Sequence, residues 1–204
     1  MRKQGYHHGN LRQALVEAAL RLITEKGPAG FTLAEAAKDA GVTPAAVYRH
    51  FQGREELITE AALQGHAIFR EAMEAAFNSK SAPLAAFEAT GRAYLRFAQS
   101  YPGHYMAMFE SGLSASAHPD LARESERSRA ILERAAEALS AQLPADRRPP
   151  ASMFTAHIWA MSHGVVELFA RGREGGNAPF PAEDLLEAGI GIYLRGLGLL
   201  DKDC

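Results

Sequence analysis

The chain has 204 residues, of which 47% are hydrophobic and 23% charged, and a formal net charge of -2; this composition excludes a disordered or fibrous chain and fits a globular protein with a core. The charge balance argues against a molecule coated in basic surface, and a single cysteine, Cys204, excludes an intrachain disulfide or a cysteine metal cluster and suits a reducing cytosol. The basic start MRKQGYHHGN runs into no uninterrupted apolar stretch, so neither a signal peptide nor a membrane span is expected and the chain reads as cytoplasmic.

Alanine, leucine and glutamate dominate, and no stretch alternates apolar and polar residues for long enough to make a strand. The predicted class is all-α. Leu11, Leu15, Ala19 and Leu22 form the apolar stripe of a first helix over 11–26, with Asn10 at its N-cap, Gln13 three residues on, and Gly27-Pro28 as its stop. Thr32-Leu33-Ala34-Glu35 has capping-box spacing and predicts a helix over 33–40, closed by a positive-φ Gly41. Thr43 as cap and Pro44 at the first helical position, where its missing N–H costs nothing, open a third helix to about His50. Two short helices across a glycine turn have the dimensions of a helix-turn-helix.

An amphipathic helix over 54–78 follows, roughly 35 to 40 Å long at 1.5 Å per residue, enough to link two subdomains. Further helices are predicted at about 82–100, 102–110, 120–143, 150–172 and 181–200, between the turn-rich pieces NSKSAP, QLPADRRPP and GREGGNAPFP.

The third helix, in GVTPAAVYRHF, must face two ways. Val47 and Phe51 fall one turn apart as an apolar anchor, while Pro44, Ala45, Tyr48 and Arg49 occupy an adjoining exposed arc. Small Ala45 and Ala46 allow close approach to base edges and thymine methyls, and Thr43, Tyr48 and His50 can donate to phosphates, which position a helix without reading sequence. Arg54 sits in the first turn of the next helix, where a cation opposes the macrodipole unless an anion is bound there. Arg2 and Lys3 can act as an arm reaching phosphates. Residues 1–60 carry eight lysines and arginines against seven acidic residues, and the remainder is net acidic.

FTLAEAAKDAGVTPAAVYRHFQGREELI closely resembles the DNA-binding signature of TetR-family transcriptional regulators, and YHHGNLRQALVEAAL before it is similar to the opening of one subgroup. The resemblance implies a three-helix DNA-binding domain over 1–53 and a helical ligand-binding and dimerisation domain over 54–204. The implied function is that of a homodimeric repressor released from double-stranded operator DNA when a small, apolar or aromatic effector tilts helix 54–78. By position, Thr32, Thr43, Pro44, Ala45, Ala46, Tyr48, His50 and Arg54 match the family's DNA contacts, and the exposed arc adds Arg49. Alanine at both 45 and 46 leaves few polar base readers, so no operator sequence follows from the motif.

In the C-terminal half, IWAMSHGVVELFARG places Trp159 and His163 one turn apart with Gly164 next, similar to the Trp-x-x-x-His-Gly pattern of the same subgroup. They are candidate ligand contacts, although a packed or dimer-facing pair is the simpler reading of that spacing. Phe97, Tyr101, Tyr105, Met106, Met108 and Phe109 form an aromatic and methionine-rich group of the kind that lines adaptable pockets. The last helix, EDLLEAGIGIYLRGLGLL, carries four glycines at about 1 kcal/mol each in a helix interior; close helix packing can offset that, and in TetR-like proteins the last two long helices form the dimer interface, here 150–172 and 182–200.

An enzyme is not expected. His7 and His8 are adjacent, His157 and His163 point to different helix faces, and the GREGGN glycines read as a linker, so no metal, phosphate or dinucleotide site and no cofactor is predicted. The competing class is a helical, dimeric protein-interaction scaffold without specific DNA binding, in which Tyr48 and Arg54 would be dispensable.

Overall fold

A computed structural model of the chain describes residues 11–114, 117–170 and 180–201. The Asn10 cap, the Arg2–Lys3 arm, His7–His8, the GREGGN segment and Cys204 lie outside the described residues. Every regular element among the described residues is helical: α1 (Leu11–Lys26), α2 (Leu33–Asp39), α3 (Pro44–Val47), α4 (Arg54–Asn78), α5 (Pro83–Ser100), α6 (Pro102–Phe109), α7 (Pro119–Ser140), α8 (Ala151–Val165) and α9 (Ala182–Leu197), with a single 3-10 turn at Ala145–Arg147 before α8. Among the described residues no helix is long and apolar enough to cross a membrane.

The chain divides into two compact units, Met1–His66 with Pro102–Arg123, and Ala67–Tyr101 with Glu124–Cys204. In the first, Leu15, Val16 and Ile23 of α1 pack with Phe31, Val47, Phe51 and Leu57 at 2% exposure or less. Fully buried alanines, Ala18 and Ala19 on α1 and Ala36 and Ala37 on α2, keep the helices close. The α6 helix lies against α1 so tightly that a Cβ on Gly103 would sit 2.6 Å from the Leu20 carbonyl oxygen.

The second unit is built around α5, whose Phe87, Tyr94, Leu95 and Phe97 are buried. Phe69 meets Tyr94 and Phe97 edge-on, with ring centroids 5.4 and 5.1 Å apart, and Phe87 stacks on Phe154 of α8 at 5.9 Å, geometries that aromatic quadrupoles favour. Beyond α8 the backbone continues as one π-helical stretch, Val166–Ala170, so helix 150–172 is regular only to Val165. The α9 helix ends at Leu197, because Gly198 takes φ 78° as a left-handed cap whose N–H donates to the carbonyls of Arg195 and Leu194. One of the four glycines therefore terminates the helix instead of weakening its interior.

Candidate nucleic-acid interface

Three local devices shape the helix-turn-helix. The first is the capping box: Thr32 Oγ1 accepts from the Glu35 N–H at 3.2 Å, and the Thr32 N–H donates to Glu35 Oε2 at 2.8 Å. Lys26 Nζ donates to Glu35 Oε1 at 2.7 Å. These hydrogen bonds, from Lys26 first and then Thr32, lower the Glu35 pKa to about 2. The second is Gly41, whose φ of 72° turns the chain where a side chain would be strained. The third is Pro44 at the start of α3, as its missing donor predicts.

The α3 helix is shorter than the sequence suggests. Only Pro44–Val47 are α-helical; residues 48–50 continue as a turn in which the N–H groups of His50 and Phe51 both donate to the Val47 carbonyl, at 2.9 and 3.0 Å. Thr43 occupies the cap position in extended conformation, but its side chain makes no cap hydrogen bond. The Thr43 carbonyl instead accepts from the Ala46 N–H at 2.9 Å.

The two-faced character of this segment is plain. Val47 and Phe51 are 0% and 1% exposed, while Tyr48 is 62% exposed. Thr43, Pro44, Ala45 and Arg49 are exposed as well, and Ala46 and His50 are half-buried. Thr32 is exposed but its hydroxyl proton is directed to Glu35 Oε2 at 2.9 Å, so it has none to offer a phosphate while the box is closed. Arg54 is exposed, and its Nη1 donates to the carbonyl oxygens of Ala29 at 2.7 Å and Phe31 at 3.3 Å. Those carbonyls, together with Glu55 and Glu56 in the same turn, offset the unfavourable placement of a cation at a helix start.

Sequence reasoning missed Arg12. From α1 its Nη1 donates to the His50 carbonyl at 3.0 Å, its Nη2 to Glu60 Oε2 at 2.6 Å, and its guanidinium lies over the Phe51 ring 4.5 Å from the centroid. It thus ties the end of the recognition segment to α1 and α4. Partial burial pushes the Glu60 pKa up, but the Arg12 and Gln64 hydrogen bonds outweigh it and the net shift is downward. Partners 38 and 48 residues distant leave no local signal. Gln13, expected in a cap, is turned toward Gln64, whose Nε2 donates to Gln13 Oε1 at 3.1 Å.

The sequence-predicted ligand residues are found in both compact units. Phe97 and Tyr101 stack on each other in the second unit, at 5.6 Å between centroids, whereas Tyr105, Met106 and Phe109 belong to the first, where Tyr105 meets Phe109 at 4.8 Å. Within the second unit α5, α7, α8 and α9 surround a narrow cavity, with about 20 Å³ open to the centres of water-sized molecules, whose walls include Phe87, Thr90, Tyr94, Thr155, Trp159 and Ile190. Trp159 therefore reaches a cavity, while His163 stands behind it, its Nδ1 3.1 Å from the Tyr94 hydroxyl. His157 faces elsewhere, its Nδ1 2.9 Å from the Tyr193 hydroxyl.

Residues 15–61 match the family described as "Bacterial regulatory proteins, tetR family". Residues 87–193, just over half the chain, match "Tetracyclin repressor-like, C-terminal domain". The chain belongs to the TetR family. The HTH-type transcriptional regulator BetI of Rhizobium meliloti (strain 1021) is 45% identical over 47 residues, 23% of this chain and 23% of that relative. The match thus spans about a quarter of that relative's length. Among solved structures, a protein of unknown function from Rhodococcus sp. RHA1 is 28% identical with a TM-score of 0.77, over 95% of this chain and 98% of that one. The TetR-family regulator PfmR of Thermus thermophilus shares the fold at a TM-score of 0.72 and 22% identity, over 89% and 97%.

Proposed function

We propose that the protein is a homodimeric, sequence-specific DNA-binding repressor that leaves its operator when a small effector binds the C-terminal domain. The observation that carries this reading is the α2–Gly41–α3 arrangement, which anchors Val47 and Phe51 and presents Thr43, Pro44, Ala45, Tyr48 and Arg49 outward. A small, mostly uncharged helix edge suits the major groove, with Tyr48, Arg49, His50 and Arg54 supplying phosphate and edge contacts around Ala45 and Ala46. Family membership and the likeness over 47 residues to an HTH-type transcriptional regulator support it.

In this reading residues 1–53 form the DNA-binding domain and 54–204 the regulatory and dimerisation domain, with α4 as the element that an effector tilts. Dimerisation through α8 and α9 is supported by apolar side chains left exposed there, Met153 at 54% and Ile192 at 68%. Gly189 and Gly196, on the Ile192 face of α9, have nothing within 4 Å of a Cβ position. A two-fold dimer would present two recognition segments to successive major grooves. The Trp159-His163-Gly164 triplet is assigned to the matching TetR subgroup, with Trp159 at the effector cavity and His163 supporting it through Tyr94. The protein is placed in the cytoplasm and assigned no catalytic activity. Mobility-shift titration with the DNA upstream of its own gene tests the reading, and a complex no tighter than with random duplex at matched salt would refute it.

A further inference from the structure

We infer that the effector is an uncharged, largely apolar molecule carrying one hydroxyl or carbonyl group, which pairs with Thr155 in the cavity between α5, α7, α8 and α9. The inference rests on the proposed regulatory role and names the chemical class that role requires. Three observations carry it.

The first is an orphan. Thr155 is 3% exposed and lines the cavity, and its Oγ1 is buried with no hydrogen-bond partner. A buried hydroxyl without a partner is costly, and a threonine inside a helix ordinarily relieves that cost by donating to the carbonyl four residues back. Thr90, on the facing wall, does so: its Oγ1 donates to the Ala86 carbonyl at 2.8 Å. The Tyr94 hydroxyl is likewise engaged, by His163. Among the described residues of the cavity wall, Thr155 Oγ1 is the fully buried side-chain polar atom left without a partner.

The second is the absence of any aspartate, glutamate, lysine, arginine or histidine among the described residues lining the cavity. An ionised ligand would surrender its hydration with no counter-charge to replace it. The third is the route in. Gly91, Phe87 and Ile190 also line a groove of about 430 Å³ between α5 and α9, so the two spaces share a wall. Gly91 has nothing within 4 Å of its Cβ position, so a side chain there would enter open space.

The sequence contains one tryptophan. It is Trp159, in the cavity wall, so intrinsic fluorescence of the full chain reports the cavity without DNA. Octanol and octanoate, alike in chain length and opposite in charge state at neutral pH, are titrated separately. Octanol is expected to shift the Trp159 emission saturably, and octanoate to bind at least about 100-fold more weakly. Thr155→Val, equal in shape and lacking the hydroxyl, is expected to weaken octanol about 3- to 10-fold and to raise the melting temperature of the free protein, since the orphan is gone. Thr155→Ser is expected to retain octanol binding. Gly91→Leu, which has space for its Cβ, is expected to block the route and abolish the fluorescence response while the protein stays folded by circular dichroism.

Octanoate binding as tightly as octanol would overturn the inference. So would octanol binding unchanged by Thr155→Val, which is the result if the hydroxyl serves only a structural water, or no saturable response to octanol up to its solubility. Operator binding by the ligand-free protein is scored in a separate titration, so failure of the effector class leaves the DNA-binding reading standing, and the converse holds equally.

Discussion

At the scale of single residues, the presentation segment and its anchors make separable predictions. Arg49 is exposed and projects from the arc that includes Tyr48. Arg49→Ala is expected to lower the salt slope of operator binding by about one and leave the melting temperature unchanged, as loss of one phosphate contact requires. Arg54 differs because its Nη1 is engaged by the Ala29 and Phe31 carbonyls. Arg54→Ala is expected to lower both the salt slope and the melting temperature, while Arg54→Lys should keep the slope, since the charge stays, and lose part of the anchoring. An unchanged slope in Arg54→Ala would show that the guanidinium is an internal brace alone. Arg12→Ala is expected to cost about 1 kcal/mol of stability, read by urea titration, because its ion pair is half solvated and only the His50 carbonyl bond and the Phe51 contact add to it.

At the scale of elements, the capping box makes α2 sensitive to acid. The folded-state pKa of Glu35 is depressed to about 2 from 4.5, so the unfolded chain binds its proton first as the pH falls. The stabilisation is complete above about pH 4.5 and is lost progressively as the pH drops toward 2. Thr32→Ala is expected to cost about 1 kcal/mol at neutral pH and to make the acid unfolding curve shallower over that window, because the Glu35 carboxylate loses the Thr32 hydroxyl as a donor. An unaltered curve would show the box to be energetically silent.

The elements were largely legible in the sequence because their signals are local. Thr32 with Glu35, Gly41 and Pro44 act within four residues of where they stand, and the structure carries all three. The length of α3 was not legible: nothing local stops a helix at Val47, and the tightening of residues 48–50 accompanies burial of Phe51 and the Arg12 bond to the His50 carbonyl, contacts made by distant chain. The cavity was illegible for the same reason. The cavity walls come from four separate helices, and composition pointed there only through Trp159.

At the scale of the whole molecule, the claim is that two copies act as one reader of DNA. Ile192→Glu introduces a charge on the exposed face of α9, where Gly189 and Gly196 leave open space. It is expected to halve the mass by light scattering and to weaken operator binding, while the helical content of each chain persists. A monomeric wild-type protein would remove this face from the account. The central claim, sequence-specific DNA binding through the Thr43–His50 segment, is tested most directly by fluorescence anisotropy at one fixed salt concentration with two duplexes, the DNA upstream of the gene and a scrambled sequence of the same length and base composition. The upstream duplex is expected to bind at least about 1,000-fold more tightly, and Ala45→Gln combined with Ala46→Gln, which blocks the close approach to base edges, is expected to remove most of that difference. Equal affinity for the two duplexes, or full discrimination surviving the double substitution, would contradict it.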